Sequence, residues 1–238
     1  MSQFPIQNQP AWVDGRTAES SERTRVFFRS VYAWMFGGLL LTSLASMWVV
    51  ASPAMQQLVL ANRMVFFGLI IAEFGLVLYL NFAINKMSGG AAASAFLIYS
   101  LLNGLTLSVI FFVYTQGSIV RAFATAAVTF GAMSIYGMVT KRDLTRFGAF
   151  LFMGVIGILI TMVINMFIRS TALDMAISLI GVFVFLGLTA YRTQELKAMA
   201  QVAGDRSEQM AIIGALGLYL AFINIFLFLL RLFGGRRD

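Results

Sequence analysis

Glu73 is the only ionisable residue in the middle of any long apolar stretch of this chain. A charged side chain at the centre of a transmembrane helix costs at least about 2.5 to 3.5 kcal/mol, so such residues are rare and usually functional. A carboxylate there pairs with a cation, faces water or binds a proton. Glu73 is therefore the first candidate for an ion-path or pH-sensing group.

Other polar residues could join Glu73. Asn103 and Asn224 carry amides that could bond across helices or line a wet path, and the sequence leaves both roles open. If the second and sixth apolar stretches run in the same direction, Glu73 and Arg192 differ in depth by roughly 12 Å. A Glu73–Arg192 ion pair stays open; without it, we expect desolvation to keep Glu73 mostly neutral. Arg192 can instead pair with Glu195, one helical turn away.

The residues that are missing exclude several classes of enzyme. The chain has no Cys and no His, which removes Ser-His hydrolases, HExxH zinc sites and thiolate chemistry. Asp143 and Asp174 lie at the edges of apolar stretches, so no aspartyl protease pair is expected within the bilayer. No lysine lies inside a stretch to form a retinal Schiff base, and there is no GxxxxGK[ST] nucleotide loop. We expect no enzymatic activity, no cofactor and no bound metal.

The composition places these residues in a membrane protein. The chain has 238 residues, of which 60% are hydrophobic and only 11% are charged, whereas about 25% are charged in soluble domains. A helix needs about 20 apolar residues to cross the hydrocarbon core, and backbone groups in lipid must bond within the helix. The sequence therefore predicts an all-α bundle of seven transmembrane helices. The predicted spans are Val31–Val50, Met64–Ile84, Ala91–Tyr114, Ala122–Val139, Phe147–Ile168, Met175–Tyr191 and Met210–Leu230.

The distribution of basic residues predicts the orientation of the bundle. Eleven Lys and Arg residues lie in the amino-terminal segment and alternate loops, against three in the remaining loops. The positive-inside rule then puts the amino terminus in the cytoplasm. We divide the chain into a flexible polar cytoplasmic segment (1–29), a transmembrane domain (30–234) and a short basic tail (235–238), with no cleavable signal peptide. The arginines of the tail contradict the rule, so the last segment either spans with a basic tail outside or is re-entrant.

Two further patterns concern packing and the membrane surface. Ser100, Gly104 and Ser108 form a small-residue stripe for close helix packing, and Gly217 shares a small face of the last span with Ala221 and Asn224. The basic loop Lys141–Arg142–Asp143 predicts a cytoplasmic anchor, with Asp143 or Thr145 capping the fifth helix. The net charge of +7 lies near span ends, which favours anionic lipid headgroups over nucleic acid as the partner.

Three strings resemble the Bax inhibitor-1 family, in its bacterial YccA/YbhL-like branch. They are FGAMSIYGMVTKRDLTRFGAFLFMGVIGI, GVFVFLGLTAYRTQELK and GALGLYLAFINIFLFLLRLFG, and the resemblance extends over the chain from about Val31. It implies a central helix surrounded by the others and a pH-sensitive calcium leak through the inner membrane.

The resemblance also implies two aspartates that share a proton and gate the leak. Here the matching positions hold Arg192 and Ala221, and a fixed positive charge repels the calcium ion that carboxylates attract. Glu73 matches an acidic position of some relatives. Two functions stay open: a cation leak with weakened or altered conduction, and a non-conducting regulator that binds other membrane proteins, such as a quality-control protease or a stress factor.

Overall fold

The computed structural model describes residues 11–83 and 86–235, with side chains from residue 21 onward. Seven of its helices are long and apolar enough to cross a membrane, and the described residues contain no strand. The predicted seven-helix, all-α membrane fold is confirmed. The helices are α1 (Ala11–Ala51), α2 (Arg63–Ala83), α3 (Gly89–Leu107), α4 (Gln116–Val139), α5 (Thr145–Ile168), α6 (Thr171–Val202) and α7 (Ser207–Phe233).

Short helical segments join some of these helices. Pro53–Gln56 and a π-helical turn, Gln57–Ala61, connect α1 to α2, Ile110–Val113 continues α3, and Gly204–Arg206 precedes α7. Hydroxyl caps begin three of the long helices: Ser88, Thr115 and Ser170 each accept a hydrogen bond from the backbone amide three residues later. Such caps satisfy amides that the first helical turn leaves unpaired.

The central helix is α7. Most of its side chains are buried, and it packs against α1, α3, α4 and α6. In contrast, α2 packs mainly on α3, and α5 mainly on α6. A helix that is apolar on every side belongs in the interior of a bundle, so the last helix in sequence forms the core of the fold.

Helix α7 crosses the whole bundle. Near its beginning, the end of α6 bonds to the α4–α5 loop, where Gln194 Nε2 donates to the Arg142 carbonyl at 2.8 Å. Just beyond its end, the Gly235 amide donates to Ser118 Oγ at 2.9 Å, in the first turn of α4. These contacts lie at opposite ends of α4, so α7 runs the full length of the bundle, which favours the spanning alternative over the re-entrant one.

The polar amino-terminal segment differs from the prediction. Helix α1 begins at Ala11, and Phe27 and Phe28 are buried in the core. The bundle therefore includes residues before position 30, and residues 21–29 belong to a helix rather than to a flexible segment. Residues 1–10, Ile84 and most of the predicted tail (236–238) lie outside the described residues.

Candidate functional site

Glu73 lies at the middle of α2, ten residues after its first residue, or about 15 Å along the axis. Both carboxylate oxygens accept hydrogen bonds from α3: Asn103 Nδ2 donates to Oε2 at 3.1 Å, and Thr106 Oγ1 donates to Oε1 at 2.8 Å. Both partners are neutral. Thus the only mid-span acid found in the sequence joins an outer helix to the bundle through hydrogen bonds.

The chain of hydrogen bonds continues from Asn103 into the core. The Tyr219 hydroxyl donates to Asn103 Oδ1 at 2.9 Å and lies 2.6 Å from Thr42 Oγ1. Thr42 can donate in turn to the Ser100 carbonyl at 2.8 Å. Tyr219 is fully buried and Asn103 is 8% exposed. We call Glu73, Asn103, Thr106, Tyr219 and Thr42 the Glu73 network; it connects α2, α3, α7 and α1.

This network can accommodate a proton on Glu73. Thr106 Oγ1 also lies 3.0 Å from the Asn103 carbonyl, an alternative acceptor for its single hydrogen. A protonated Glu73 can therefore donate to Thr106, whose own hydrogen turns to that carbonyl, because a hydroxyl both donates and accepts. The carboxyl group of Glu73 and the hydroxyl group of Thr106 can therefore stay hydrogen-bonded to each other in either protonation state.

Only two members of the network were candidates from sequence. Thr106 follows Asn103 by three residues, a spacing that places both on one helix face, so this signal was available. Thr42 and Tyr219 lie on helices far apart in the sequence. Nothing local indicates that their hydroxyl groups meet Asn103.

Arg192 is not the partner of Glu73. Its Nη1 atom pairs with Glu195 Oε2 at 2.8 Å, which confirms the pairing expected from their spacing. The Arg192 side chain also passes α7, where its Nε lies 3.8 Å from the position that a Cβ on Gly217 would take. Gly217 precedes Tyr219 by two residues, so Arg192 crosses α7 about 3 Å along the axis from the network, toward the Lys141 end.

The other predicted site residues lie outside the network. Ala221 is 3% exposed in the core. Asn224 donates to the Leu220 carbonyl of its own helix at 2.8 Å, as Asn81 does to Val77, so neither bridges helices there. Asn165 does bridge, since it donates to Asp174 Oδ1 at 2.7 Å near the start of α6.

The small-residue stripe of α3 lies against α1. A Cβ on Gly104 would come within 2.5 Å of the Thr42 carbonyl oxygen and 2.6 Å of Ala45 Cβ. Ser46 Oγ donates to the Gly104 carbonyl at 2.6 Å, and Ser100 is fully buried. Ser108 caps the end of α3 and donates to the Leu105 carbonyl at 2.6 Å. The close contact between α1 and α3 positions the network between them.

The basic loop between α4 and α5 is attached to α6. The Leu144 amide donates to Gln194 Oε1 at 2.8 Å, and Lys197 Nζ donates to the Met138 carbonyl at 3.1 Å. Lys141 and Arg142 remain exposed at this end of the bundle. Both are free to meet anionic groups.

Asp143 lies where α5 begins. Its Oδ1 atom accepts hydrogen bonds from the Thr145 hydroxyl at 2.5 Å and from the Thr145 amide at 2.9 Å. These bonds hold the pKa of Asp143 below its usual range. The N-cap position itself is Leu144, so the carboxylate acts from one residue earlier than a standard N-cap.

The described residues contain no cluster of three His, Cys, Asp or Glu side chains that could hold a metal ion. Calcium usually takes six to eight oxygen ligands. Around Glu73 the available oxygens come from one carboxylate, a hydroxyl and backbone carbonyls.

Comparison with known proteins identifies the family. The model of the family described as "Inhibitor of apoptosis-promoting Bax1" (Bax1-I) matches residues 24–238. The chain belongs to the Bax inhibitor-1 family. It is 48% identical over 217 residues to the inner membrane protein YbhL of Escherichia coli strain K12, covering 90% of this chain and 93% of YbhL.

Two other relatives of this Bax inhibitor-1 protein are similar over almost the same length. A protein of Borreliella burgdorferi is 43% identical over 215 residues, covering 89% of this chain and 93% of its own length. A protein of Deinococcus radiodurans is 40% identical over 219 residues, covering 91% and 93%. The chain is thus a polytopic inner membrane protein of the Bax inhibitor-1 family.

Proposed function

We propose that this protein is a pH-sensitive cation leak pathway, with calcium among its permeant ions, in which conduction is weakened by Arg192 and Ala221. The observation that carries the proposal is the Glu73 network, a continuous set of hydrogen-bonded polar groups around an acid in the middle of a transmembrane helix. Polar residues at this depth commonly mark ion paths or proton relays.

The hydrogen bonding around Glu73 supports the pH-sensitive part of the proposal. An ionised Glu73 attracts a cation, whereas a protonated one donates to Thr106 and carries no charge. Because both states satisfy their hydrogen bonds, switching between them requires no unpaired buried group. Protonation therefore changes the charge at mid-membrane without disrupting the packing.

The position of Arg192 supports weakened conduction. Family members that leak are thought to carry aspartates where this chain has Arg192 and Ala221. Arg192 replaces one of these acids with a positive charge beside α7, and a positive charge repels a desolvated cation. Ala221 supplies no oxygen ligand at all.

The test is calcium and proton flux in liposomes. We compare the wild type with Glu73→Gln and with the double variant Arg192→Asp plus Ala221→Asp. Arg121→Asp, on an exposed arginine in α4, serves as the control that repeats the charge change of Arg192→Asp. We expect a weak calcium leak from the wild type, a larger one from the double variant and loss of pH dependence in Glu73→Gln. A wild-type leak equal to that of the double variant would contradict the proposed effect of Arg192 and Ala221.

The second candidate function is a non-conducting regulator that binds other membrane proteins. The Arg192–Glu195 ion pair favours it, because a paired arginine occupies the place where a leak pathway would carry an acid. Flux equal to that of empty liposomes in both the wild type and Glu73→Gln, together with a specific cross-linked membrane partner in cells, would support this function.

For both candidate functions we propose that the exposed Lys141 and Arg142 face anionic lipid headgroups. We propose neither an enzymatic activity nor binding to nucleic acid.

A further inference from the structure

A cavity of about 700 Å³ opens at the end of the bundle away from the Lys141 loop. The end of α5, the start of α6 and the end of α7 form it, and Tyr114 closes one side. Its volume lies within the range of small-molecule binding sites, about 300 to 1,000 Å³. The Glu73 network, which lies at mid-depth, contributes no residue to it.

Two arginines from different helices line this cavity. Arg169 ends α5 and Arg231 lies near the end of α7. Within the described part of the chain, neither forms an ion pair; Arg231 lies over the Phe228 ring, with its Cζ 5.9 Å from the ring centroid. The acid in the cavity, Asp174, accepts a hydrogen bond from Asn165 at 2.7 Å. The lining residues therefore carry a net positive charge.

The backbone at Arg169 adds a second observation. Its φ of 56° and ψ of 38° place it in the left-handed region, which Gly and Asn adopt more readily than long side chains do. An arginine at such a position costs more than a glycine would. Arg169 lines the cavity, so a charged residue occupies a position where the backbone favours glycine.

The remaining walls indicate an amphiphilic ligand. Met162, Met166 and Met175 line the side formed by α5 and α6, and Leu232 lies on α7. Flexible methionine side chains suit a variable apolar group. The arginines lie at helix ends, where lipid headgroups meet the hydrocarbon core.

We propose that this cavity binds a phosphate group, held between Arg169 and Arg231, from an anionic phospholipid headgroup or from free phosphate. Guanidinium groups bind phosphate oxygens through paired, charge-assisted hydrogen bonds. Basic pockets between transmembrane helices on the cytoplasmic side of membranes bind lipid headgroups in this way. The methionine wall accommodates the glycerol and the first part of an acyl chain, which favours the lipid.

The test measures binding by isothermal titration calorimetry on the purified chain in micelles. The probes are dihexanoylphosphatidylglycerol, dihexanoylphosphatidylcholine and inorganic phosphate, and the variants are Arg169→Gln and Arg231→Gln. The matched control is Arg63→Gln, which removes the same charge at the start of α2, from a residue that does not line the cavity. All these arginines are exposed, so folding should be preserved, and the helix content of each variant is checked by circular dichroism.

We expect the anionic lipid to bind more tightly than the zwitterionic one. Each cavity variant should weaken binding of the anionic lipid about tenfold, because it loses one charge-assisted hydrogen bond. Arg63→Gln should bind as the wild type does. Displacement of the lipid by millimolar phosphate would identify free phosphate as a ligand, and failure to displace it would identify the lipid. Equal binding of both lipids, or unchanged binding in both cavity variants, would overturn the proposal. The readout is independent of ion flux, so it can succeed or fail separately from the proposed leak.

Discussion

At the scale of single residues, Tyr219 is the member of the Glu73 network with the clearest energetic test. The variant Tyr219→Phe removes a hydroxyl that contacts Asn103 and Thr42 and changes little else. Hydrogen bonds between transmembrane helices contribute about 0.6 kcal/mol on average, up to about 1.7. We therefore expect the variant to lose about 1 kcal/mol of unfolding free energy, measured by unfolding in mixed micelles.

The matched control for this variant is Tyr99→Phe. The Tyr99 ring packs edge-on against that of Tyr219, with centroids 5.8 Å apart, and its hydroxyl makes no hydrogen bond within the described residues. Removing it should change the unfolding free energy less. If both variants lose the same stability, the hydrogen bonds of the Tyr219 hydroxyl contribute nothing to the unfolding free energy beyond the effect of removing a hydroxyl that makes none.

Asp143 provides a pH-dependent prediction outside the bilayer. Hydrogen bonds from Thr145 lower the pKa of Asp143 in the folded state. The ionised carboxylate therefore contributes fully to stability above the usual carboxyl pKa of about 3.9. This contribution is lost as the pH falls through the lower pKa that Asp143 has in the folded state. Asp143→Asn should remove this contribution. We expect its melting temperature to fall below that of the wild type at pH 7 and to approach it near pH 3, measured by circular dichroism. A constant difference at all pH values would contradict the role of the charge.

The sequence identified part of the candidate site. Glu73 stood out because an acid in a long apolar stretch is rare, and Asn103 because it is one of few amides. Thr42 and Tyr219 could not be found, since hydroxyl-bearing residues are common in transmembrane helices and only the packing of α1 and α7 on α3 brings these two to Asn103. The sequence likewise could not show that the amide of Asn224 donates to a carbonyl of its own helix and not to another helix.

At the scale of helices, the positions of all seven spans were predicted and several of their ends were not. Helix α1 begins twenty residues before the predicted Val31, and α6 continues eleven residues past Tyr191. These extensions contain many polar and charged residues, so their hydropathy is low and a search for apolar runs does not find them. The predicted third span also runs through a turn at Ser108 and Val109, which divides α3 from the Ile110–Val113 segment.

The contact between α1 and α3 gives a prediction at this scale. Gly104→Ala puts a methyl group 2.5 Å from the Thr42 carbonyl oxygen, so the two helices must separate. We expect a loss of about 1 to 3 kcal/mol of unfolding free energy, as for other overpacked sites. Micelle unfolding of the purified variant measures it.

The control substitution is Gly131→Ala in the middle of α4. A Cβ there meets nothing within 4 Å, so alanine should increase stability by up to about 1 kcal/mol through its higher helix propensity. The two glycine substitutions thus have opposite expected signs. A gain for Gly104→Ala would show that α1 and α3 are not in close contact.

At the scale of the whole molecule, the sequence did not reveal which helix is central. All seven spans are strongly apolar, and periodicity is weak when lipid and core are both apolar. The resemblance implied a central helix but did not say which one. The basic tail also drew attention away from α7, because it raised the possibility that this helix does not cross.

The orientation of the bundle stays a prediction, and the chain is well suited to testing it because it has no cysteine. Single cysteines at Gln116, Gly235 and Lys141 can be labelled in intact cells with a membrane-impermeant maleimide. In the structure Gln116 and Gly235 lie at one end of the bundle, since the Thr115 amide donates to the Gly235 carbonyl at 3.1 Å. Lys141 lies at the other end.

The positive-inside rule puts the Lys141 end in the cytoplasm. We therefore expect Gln116→Cys and Gly235→Cys to be labelled, and Lys141→Cys only after permeabilisation. The reverse pattern would contradict the orientation alone, whereas different labelling of Gln116→Cys and Gly235→Cys would contradict the crossing of α7.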